Sequence, residues 1–302
     1  MSKFLVNVPF TGLGLYDGFR GNKWLQNRIA VFKRFVLENL SKQTDQDFIL
    51  WISWRAEERD NKYVKELEQY IKGKFNYVFT YSGVCFWDDK YPDDVARLRL
   101  ANALHRALPE LVDKLDCQYV DMLIQPSDDI YRLDTIENMK LELQNTQAVG
   151  HKRGYMMDYT TKNMVEYNPK TNPPFFAIRF PKDIFIDPSK HMKYTGPYKS
   201  HEYVPDFLTM KIWEHRGFIV GTHENNISTT FDHPYGGAKV DPEVLKDFGI
   251  EYIEPIKFEW SLFRPIFKAL PYKAKRKLRY WAGEKRWIFR PFFNFIYNLL
   301  RS

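Results

Sequence analysis

Apolar and polar positions alternate between two periods along the first half of the chain. Residues 4–10 (FLVNVPF) form a nearly continuous apolar run and predict a buried first strand. The segment after it holds Gly12, Gly14, Gly18 and Gly21 and predicts a loop. Over 24–40 the apolar positions Leu25, Ile29, Phe32, Phe35, Val36 and Leu40 recur at helical spacing. A second strand follows at 48–54 (FILWISW), then a helix at 62–72 with Val64, Leu67 and Ile71 on one face. A third strand at 77–81, a long amphipathic helix at 94–115, a fourth strand at 118–125 (QYVDMLIQ) and a helix at 135–144 complete this half. Strands alternating with helices at this spacing predict parallel βαβ units. In such sheets, ligands bind beyond the carboxyl ends of the strands.

After residue 145 the pattern changes. Short strands are expected at 156–159, 164–167 and 175–180, joined by polar turns. Residues 181–205 hold several prolines and predict a loop-rich stretch, followed by a helix at 207–215 and a short strand at 218–222. The expected class is α/β: a Rossmann-type, mostly parallel sheet flanked by helices, then a mixed strand-rich half, then a C-terminal helical tail.

Directly after the fourth strand stand Ser127, Asp128 and Asp129. Adjacent carboxylates at the carboxyl end of a parallel strand sit at the ligand edge of the sheet. A hard cation such as Mg²⁺ or Mn²⁺ takes oxygen ligands, often one or two carboxylates together with substrate phosphates. It then neutralises charge on a departing phosphate as a Lewis acid. An acid pair before a helix is also ordinary N-cap chemistry, and Asp134 is equally placed for that.

Residues 28–48 (RIAVFKRFVLENLSKQTDQDF) and the strand after them resemble the start of GT-A glycosyltransferases. They are similar in particular to the rhamnosyltransferase group of bacterial sugar transferases, where a helix ends in a Leu…Gln-Thr…Phe run before the second strand. Residues 96–108 (ARLRLANALHRAL) resemble that group's Arg-rich helix, and Ser127-Asp128-Asp129 stands where the group has its Asp-rich metal motif. His223 to Thr229 (HENNIST), with His233 and Pro234 after it, looks like the group's His…Asn-Ile-Ser segment. The order of these motifs over roughly residues 4–237 carries the resemblance. One departure is plain: Ser127 stands where a fuller acidic run has Asp.

The resemblance implies a GT-A-like catalytic domain over 1–260, with a nucleotide-sugar-binding half (1–145) and an acceptor half (146–260). It implies transfer of a sugar from a nucleotide-sugar donor to a glycan or lipid-linked acceptor, with a divalent metal, Mn²⁺ or Mg²⁺. Asp128, Asp129 and His223 would hold the metal. Arg97, Arg99 and Asn102 on the long helix would touch the donor; arginine forks suit phosphate oxygens, although a solvated helix face explains them as well. Arg28 would approach the diphosphate, though a surface arginine fits the pattern better. Among the acids after the second strand, Asp60 or Glu57 would bind the nucleobase or ribose. Glu224 would be the general base toward the acceptor hydroxyl, with Asp129 also catalytic.

Charge changes the picture at one end only. Residues 261–302 hold eleven Lys or Arg against the single acid Glu284, a net +10, which leaves about −3 for residues 1–260. The same tail carries eleven aromatic residues. Cations interleaved with aromatics suit an anionic membrane surface, though a solvated basic face on a packed helical pair has the same composition. No run reaches the roughly 20 apolar residues of a spanning helix. Cys85 and Cys117 do not make a disulfide framework. The expected location is cytoplasmic, at the inner face of the membrane. A sugar-phosphate nucleotidyltransferase is the competing enzyme, but Gly12 and Gly14 are followed by Leu15 and Tyr16 rather than a phosphate cradle. A nucleic-acid-binding module would explain the tail but not an acid pair in an acidic body, so no nucleic acid is expected.

Overall fold

The computed structural model describes residues 1–12, 22–82, 93–194, 201–223, 226, 229, 231, 233, 235–250 and 274, without the side chains of 93–101 and 242. The basic tail, apart from Ala274, and Glu224 therefore lie outside the described residues. Strands β1 (Ser2–Pro9), β2 (Ile49–Trp54), β3 (Tyr77–Tyr81) and β4 (Tyr119–Ile124) form a parallel set in the order β3-β2-β1-β4. Helix α1 (Asn22–Val31) continues through a π-helical stretch (Phe32–Leu37) into α2 (Glu38–Ser41). Helices α3 (Lys62–Ile71) and α4 (Asp93–Val112) provide the other crossovers.

Period-two alternation sorts the strand residues to two faces. Phe4, Val6, Val8, Leu50 and Ile52 pack with Phe32, Phe35, Val64 and Leu67 of α1, its π-helical continuation and α3. Leu5, Ile49, Trp51 and Val78 face the other way, onto Ala103, Leu104, Ala107 and Leu111 of α4. The parallel strands are thus covered on both sides, which is why they read as apolar runs rather than alternating ones.

The second half extends the same sheet with mixed directions. Strand β5 (Ile130–Tyr131) and helix α5 (Thr135–Glu142) lead into β6 (Ala148–Asp158), β7 (Met164–Tyr167) and β8 (Phe176–Pro181). β8 is antiparallel to β4, β6 to β8, and β7 to β6. The long strand β9 (Met210–Thr222) runs parallel to β6 and antiparallel to β5, and β10 (Gly236–Lys239) closes the edge beside β7. This is the α/β arrangement that was expected: a parallel set flanked by helices, then a strand-rich mixed half.

Three expectations for this half need correction. Residues 207–215 do not form a helix; α8 (Val204–Phe207) ends first, and Met210 already pairs with Ala148 in the β6–β9 ladder. Pairing along a central strand overrides a weak local pattern, and Ile212 and Trp213 are good strand formers. Strand β6 begins eight residues before the expected 156, in a stretch with two glycines and three cations or imidazoles that hid it. Both glycines are packing residues: a Cβ on Gly150 would lie 2.7 Å from the Phe176 Cβ, and one on Gly154 would lie 2.5 Å from the Phe218 ring. The stretch 181–205 also holds short helices, α6 (Lys182–Phe185) and α7 (Pro188–Tyr194). Among the described residues no helix is long and apolar enough to cross a membrane.

Candidate functional site

The acid pair sits where the sequence puts it, just beyond the carboxyl end of β4, and its loop is tightly tied. The Gln125 backbone N–H donates to the Asn7 carbonyl (2.8 Å), and its side-chain Nε2 donates to the carbonyls of Pro126 (2.9 Å) and Asp129 (2.8 Å). The Tyr131 hydroxyl reaches back to the Ile124 carbonyl at 2.6 Å. These contacts fold residues 125–130 into a short bend whose exit, β5, pairs with β9. That pairing brings residues more than ninety positions later in the chain beside the acids. The Gly221 N–H donates to Asp129 Oδ1 at 2.9 Å. Only glycine fits there, since a Cβ would lie 2.1 Å from the Asp128 carbonyl oxygen.

The buried centre of the site is Arg28, from the second turn of α1. Its Nη1 donates to Asp128 Oδ2 at 2.5 Å and its Nη2 to Asp128 Oδ1 at 2.7 Å, a two-pronged ion pair. Its Nε donates to Ser127 Oγ at 2.8 Å. Arg28 is 2% exposed, so it is not the surface arginine its position suggested. His223, just past β9, brings Nε2 to 3.0 Å from Arg28 Nη1 and 3.2 Å from Asp128 Oδ2. With that nitrogen unprotonated it accepts from Arg28; protonated, it donates to Asp128. Asn226 Nδ2 donates to Asp128 Oδ2 and to the Gly221 carbonyl, each at 2.8 Å, while Asn226 Oδ1 accepts from the His223 backbone N–H. The Tyr159 hydroxyl holds the Asp128 carbonyl (3.0 Å), and Phe35 stacks on Tyr159 with ring centres 3.7 Å apart. The π-helical stretch after α1 therefore packs directly onto the support of the acid pair.

The two acids are electrostatically unequal. Burial alone would raise the Asp128 carboxyl, but the Arg28 charge and the His223 contact outweigh it and hold the group below the usual carboxylate range. Burial, followed by the negative charge of Asp128, pushes Asp129 well above that range. One neighbour is held ionised and the other is driven toward its neutral form.

The fit of these residues to a divalent cation can be tested on their donor atoms. Both oxygens of Asp128 take guanidinium hydrogens, and Nε2 of His223 faces the same group. Asp129 turns one oxygen to the Gly221 N–H. Among the described residues no group of three His, Cys, Asp or Glu side chains is placed to hold a metal ion. Asp128 and His223 do come together, but around Arg28, and this arrangement does not fit a cation.

The remaining candidates are scattered. Arg97 and Arg99 lie on α4 with undescribed side chains, and Asn102 is exposed on the same helix. Asp60 is exposed and lowered in pKa, first by its hydrogen bond with Lys65, whose Nζ is 2.9 Å away. Glu57 is exposed and paired with Arg55. Between them Glu58 is the buried acid: its Oε2 accepts from the Thr11 hydroxyl and from the Arg55 N–H, and its Oε1 has no hydrogen-bond partner. Burial raises its carboxyl against the pull of Thr11. Buried Asn7 Nδ2 and Trp54 Nε1, on β1 and β2, likewise lack a partner. Glu58, Ser127 and Asn226 stand in segments that the sequence marks, but none of them was assigned a role at the site from the sequence. A Glu in an acidic run, a Ser in a turn and one Asn of a pair carry no periodic signal; only the fold buries them.

No protein-family model matches the chain, and no curated protein matches it. Among solved structures it aligns with S. aureus TarS 1–349 at 14% identity, over 72% of this chain and 60% of that one, with a TM-score of 0.41. A longer S. aureus TarS chain aligns at 12% identity over 73% and 37%, with a TM-score of 0.38. HddC from Yersinia pseudotuberculosis aligns at 14% identity over 72% and 93%, with a TM-score of 0.35. The chain thus spans 60% and 37% of the two TarS chains it matches. Its own strand order and helix layers make it a mixed α/β sheet flanked by helices.

Proposed function

We propose that the chain is a glycosyltransferase, taking a nucleotide-sugar donor at the carboxyl edge of β1, β2 and β4 and passing the sugar to a hydroxyl acceptor. The observation that carries this reading is the buried Arg28–Asp128 pair fixed at that edge. In the reaction the acceptor oxygen bonds to the anomeric carbon, the bond from that carbon to the phosphate oxygen breaks, and the nucleoside diphosphate leaves with the electron pair. Positive charge fixed near the departing phosphate favours that step. Arg97 and Arg99 are its proposed source, with Asn102 beside them, while Arg28, sealed against Asp128, holds the edge on which they would act. No step is assigned to a divalent cation, because Arg28 takes the ligand atoms it would use.

The acceptor's proton goes to a carboxylate. Asp129, beside the carboxyl edge of β4, is the described candidate by position, with Glu224 the proposed alternative. Glu58, with one oxygen unpartnered, is the proposed partner of a ribose or base hydrogen-bond donor, in place of Asp60 and Glu57. The acceptor class is a glycan or lipid-linked saccharide, and the tail 261–302 is the proposed membrane contact. The transferred sugar would be a hexose or rhamnose.

The test is a screen of the full chain against UDP-, GDP- and dTDP-sugars, read as donor hydrolysis and thermal shift. A response to one nucleotide class is expected. Glu58→Gln should weaken that nucleotide's binding roughly tenfold, the loss of about 1.4 kcal/mol. Silence toward all three classes would count decisively against the reading. For the tail, unchanged co-sedimentation with anionic vesicles after deletion of 261–302 would refute the membrane role.

A further inference from the structure

The atoms expected to ligate a metal converge on a side chain. Asp128 Oδ1 and Oδ2 lie 2.7 and 2.5 Å from the two terminal nitrogens of Arg28, and His223 Nε2 lies 3.0 Å from one of them. Ser127 Oγ takes the third guanidinium nitrogen, and Arg28 is closed off from solvent. We infer that Arg28 is the resident cation of this acid pair, filling the place of a divalent metal so that Asp128 binds neither Mn²⁺ nor Mg²⁺. A guanidinium and a metal ion cannot share those oxygens, because like charges at that separation repel strongly away from water. Asp129 has turned one oxygen to the Gly221 N–H, which leaves it at most its other oxygen for a metal. Only the nucleotide arm of the test rests on the glycosyltransferase reading. The claim about metal stands without that reading.

The experiment titrates the full chain with Mn²⁺ and follows the free ion by electron paramagnetic resonance. The wild type should leave the free-Mn²⁺ signal undiminished, and so should Arg28→Lys, which keeps a cation. Arg28→Ala should remove free Mn²⁺ in proportion to protein, and Arg28→Ala combined with Asp128→Ala should lose that uptake. Wild-type uptake of Mn²⁺ that Asp128→Asn abolishes would overturn the inference, and this comparison decides it even if Arg28→Ala does not fold. Failure of a folded Arg28→Ala to gain Mn²⁺ would also overturn it. A second arm measures UDP and GDP binding in EDTA and in Mn²⁺. Equal affinity in both supports the inference, and binding that needs Mn²⁺ refutes it. If neither nucleotide binds in either condition, dTDP is titrated in the same way, and silence toward all three fails the glycosyltransferase reading, while the Mn²⁺ titration still decides the metal question.

Discussion

Removing Arg28 should expose how strongly the fold depends on one buried ion pair. Arg28→Met keeps much of the length of the side chain but deletes the donors to both oxygens of Asp128 and to Ser127. Breaking a buried pair by deleting one partner costs about 3–5 kcal/mol, mostly because the other charge is left uncompensated. Asn226 still donates to Asp128, which argues for the lower end, about 3 kcal/mol. At roughly 2–4 °C per kcal/mol for a domain of this size, the melting temperature should fall by about 6–12 °C. Asp128→Leu alone should cost a similar amount, because it strands the guanidinium. The double variant, with neither charge, should return to within about 1–2 kcal/mol of wild type, since an apolar pair often replaces a buried ion pair without loss. Urea unfolding followed by far-ultraviolet circular dichroism gives all four corners of the cycle, provided the m-values agree. A single-variant cost under about 1 kcal/mol, or strictly additive singles, would refute the argument that these charges depend on each other.

Asp129→Asn tests the inequality of the acids. The raised folded pKa of Asp129 means the native state holds its proton longer than the unfolded chain, so stability falls as pH rises from the ordinary value of 3.8 through the raised one. The Asn variant, which still accepts from Gly221, should be the more stable protein at neutral pH and should lose that advantage below about pH 4; an advantage that persists in acid would sink the assignment. His151 is buried with both ring nitrogens unpartnered, and burial, with His215 and Arg132 nearby, lowers its pKa to about 3. Stability therefore declines as pH drops from 6.5 toward 3, because only the unfolded state takes up the proton. His151→Leu should flatten that decline in melting temperature against pH and leave neutral stability within about 1 kcal/mol. Gly221→Ala would drive a methyl to 2.1 Å from the Asp128 carbonyl oxygen and 2.4 Å from the Tyr159 ring, so it should cost about 1–3 kcal/mol in urea unfolding and weaken donor binding.

The parallel half was legible because burial on both faces leaves a strand almost wholly apolar, and FLVNVPF and ILWISW announce themselves. The mixed half was harder to read. β6 hides behind Gly150, His151, Lys152, Arg153 and Gly154, and each of those glycines is required by a neighbouring strand or ring rather than by its own segment. β9 looked helical in its first residues, where pairing with β6 decides the matter. The site followed the same division. Asp128 and Asp129 were found because adjacency and position at a strand end are local properties. The partnership of Arg28 with residues about a hundred positions away is not, and a lone arginine early in a helix gives no local sign of being buried.

The one local oddity at this site was Ser127. Read as a departure from an acidic run, it looked like a missing metal ligand. In the fold it is the acceptor for Arg28 Nε, completing a guanidinium whose other two nitrogens face Asp128. An aspartate at 127 would place a third carboxylate against a single buried cation, beside an Asp129 that burial and Asp128 already push toward its neutral form. A neutral hydroxyl accepts the same hydrogen bond without adding that charge. Ser127 and Arg28 are therefore one feature of the chain: where the acidic run gives up a carboxylate, a hydroxyl accepts from the same arginine whose charge Asp128 meets.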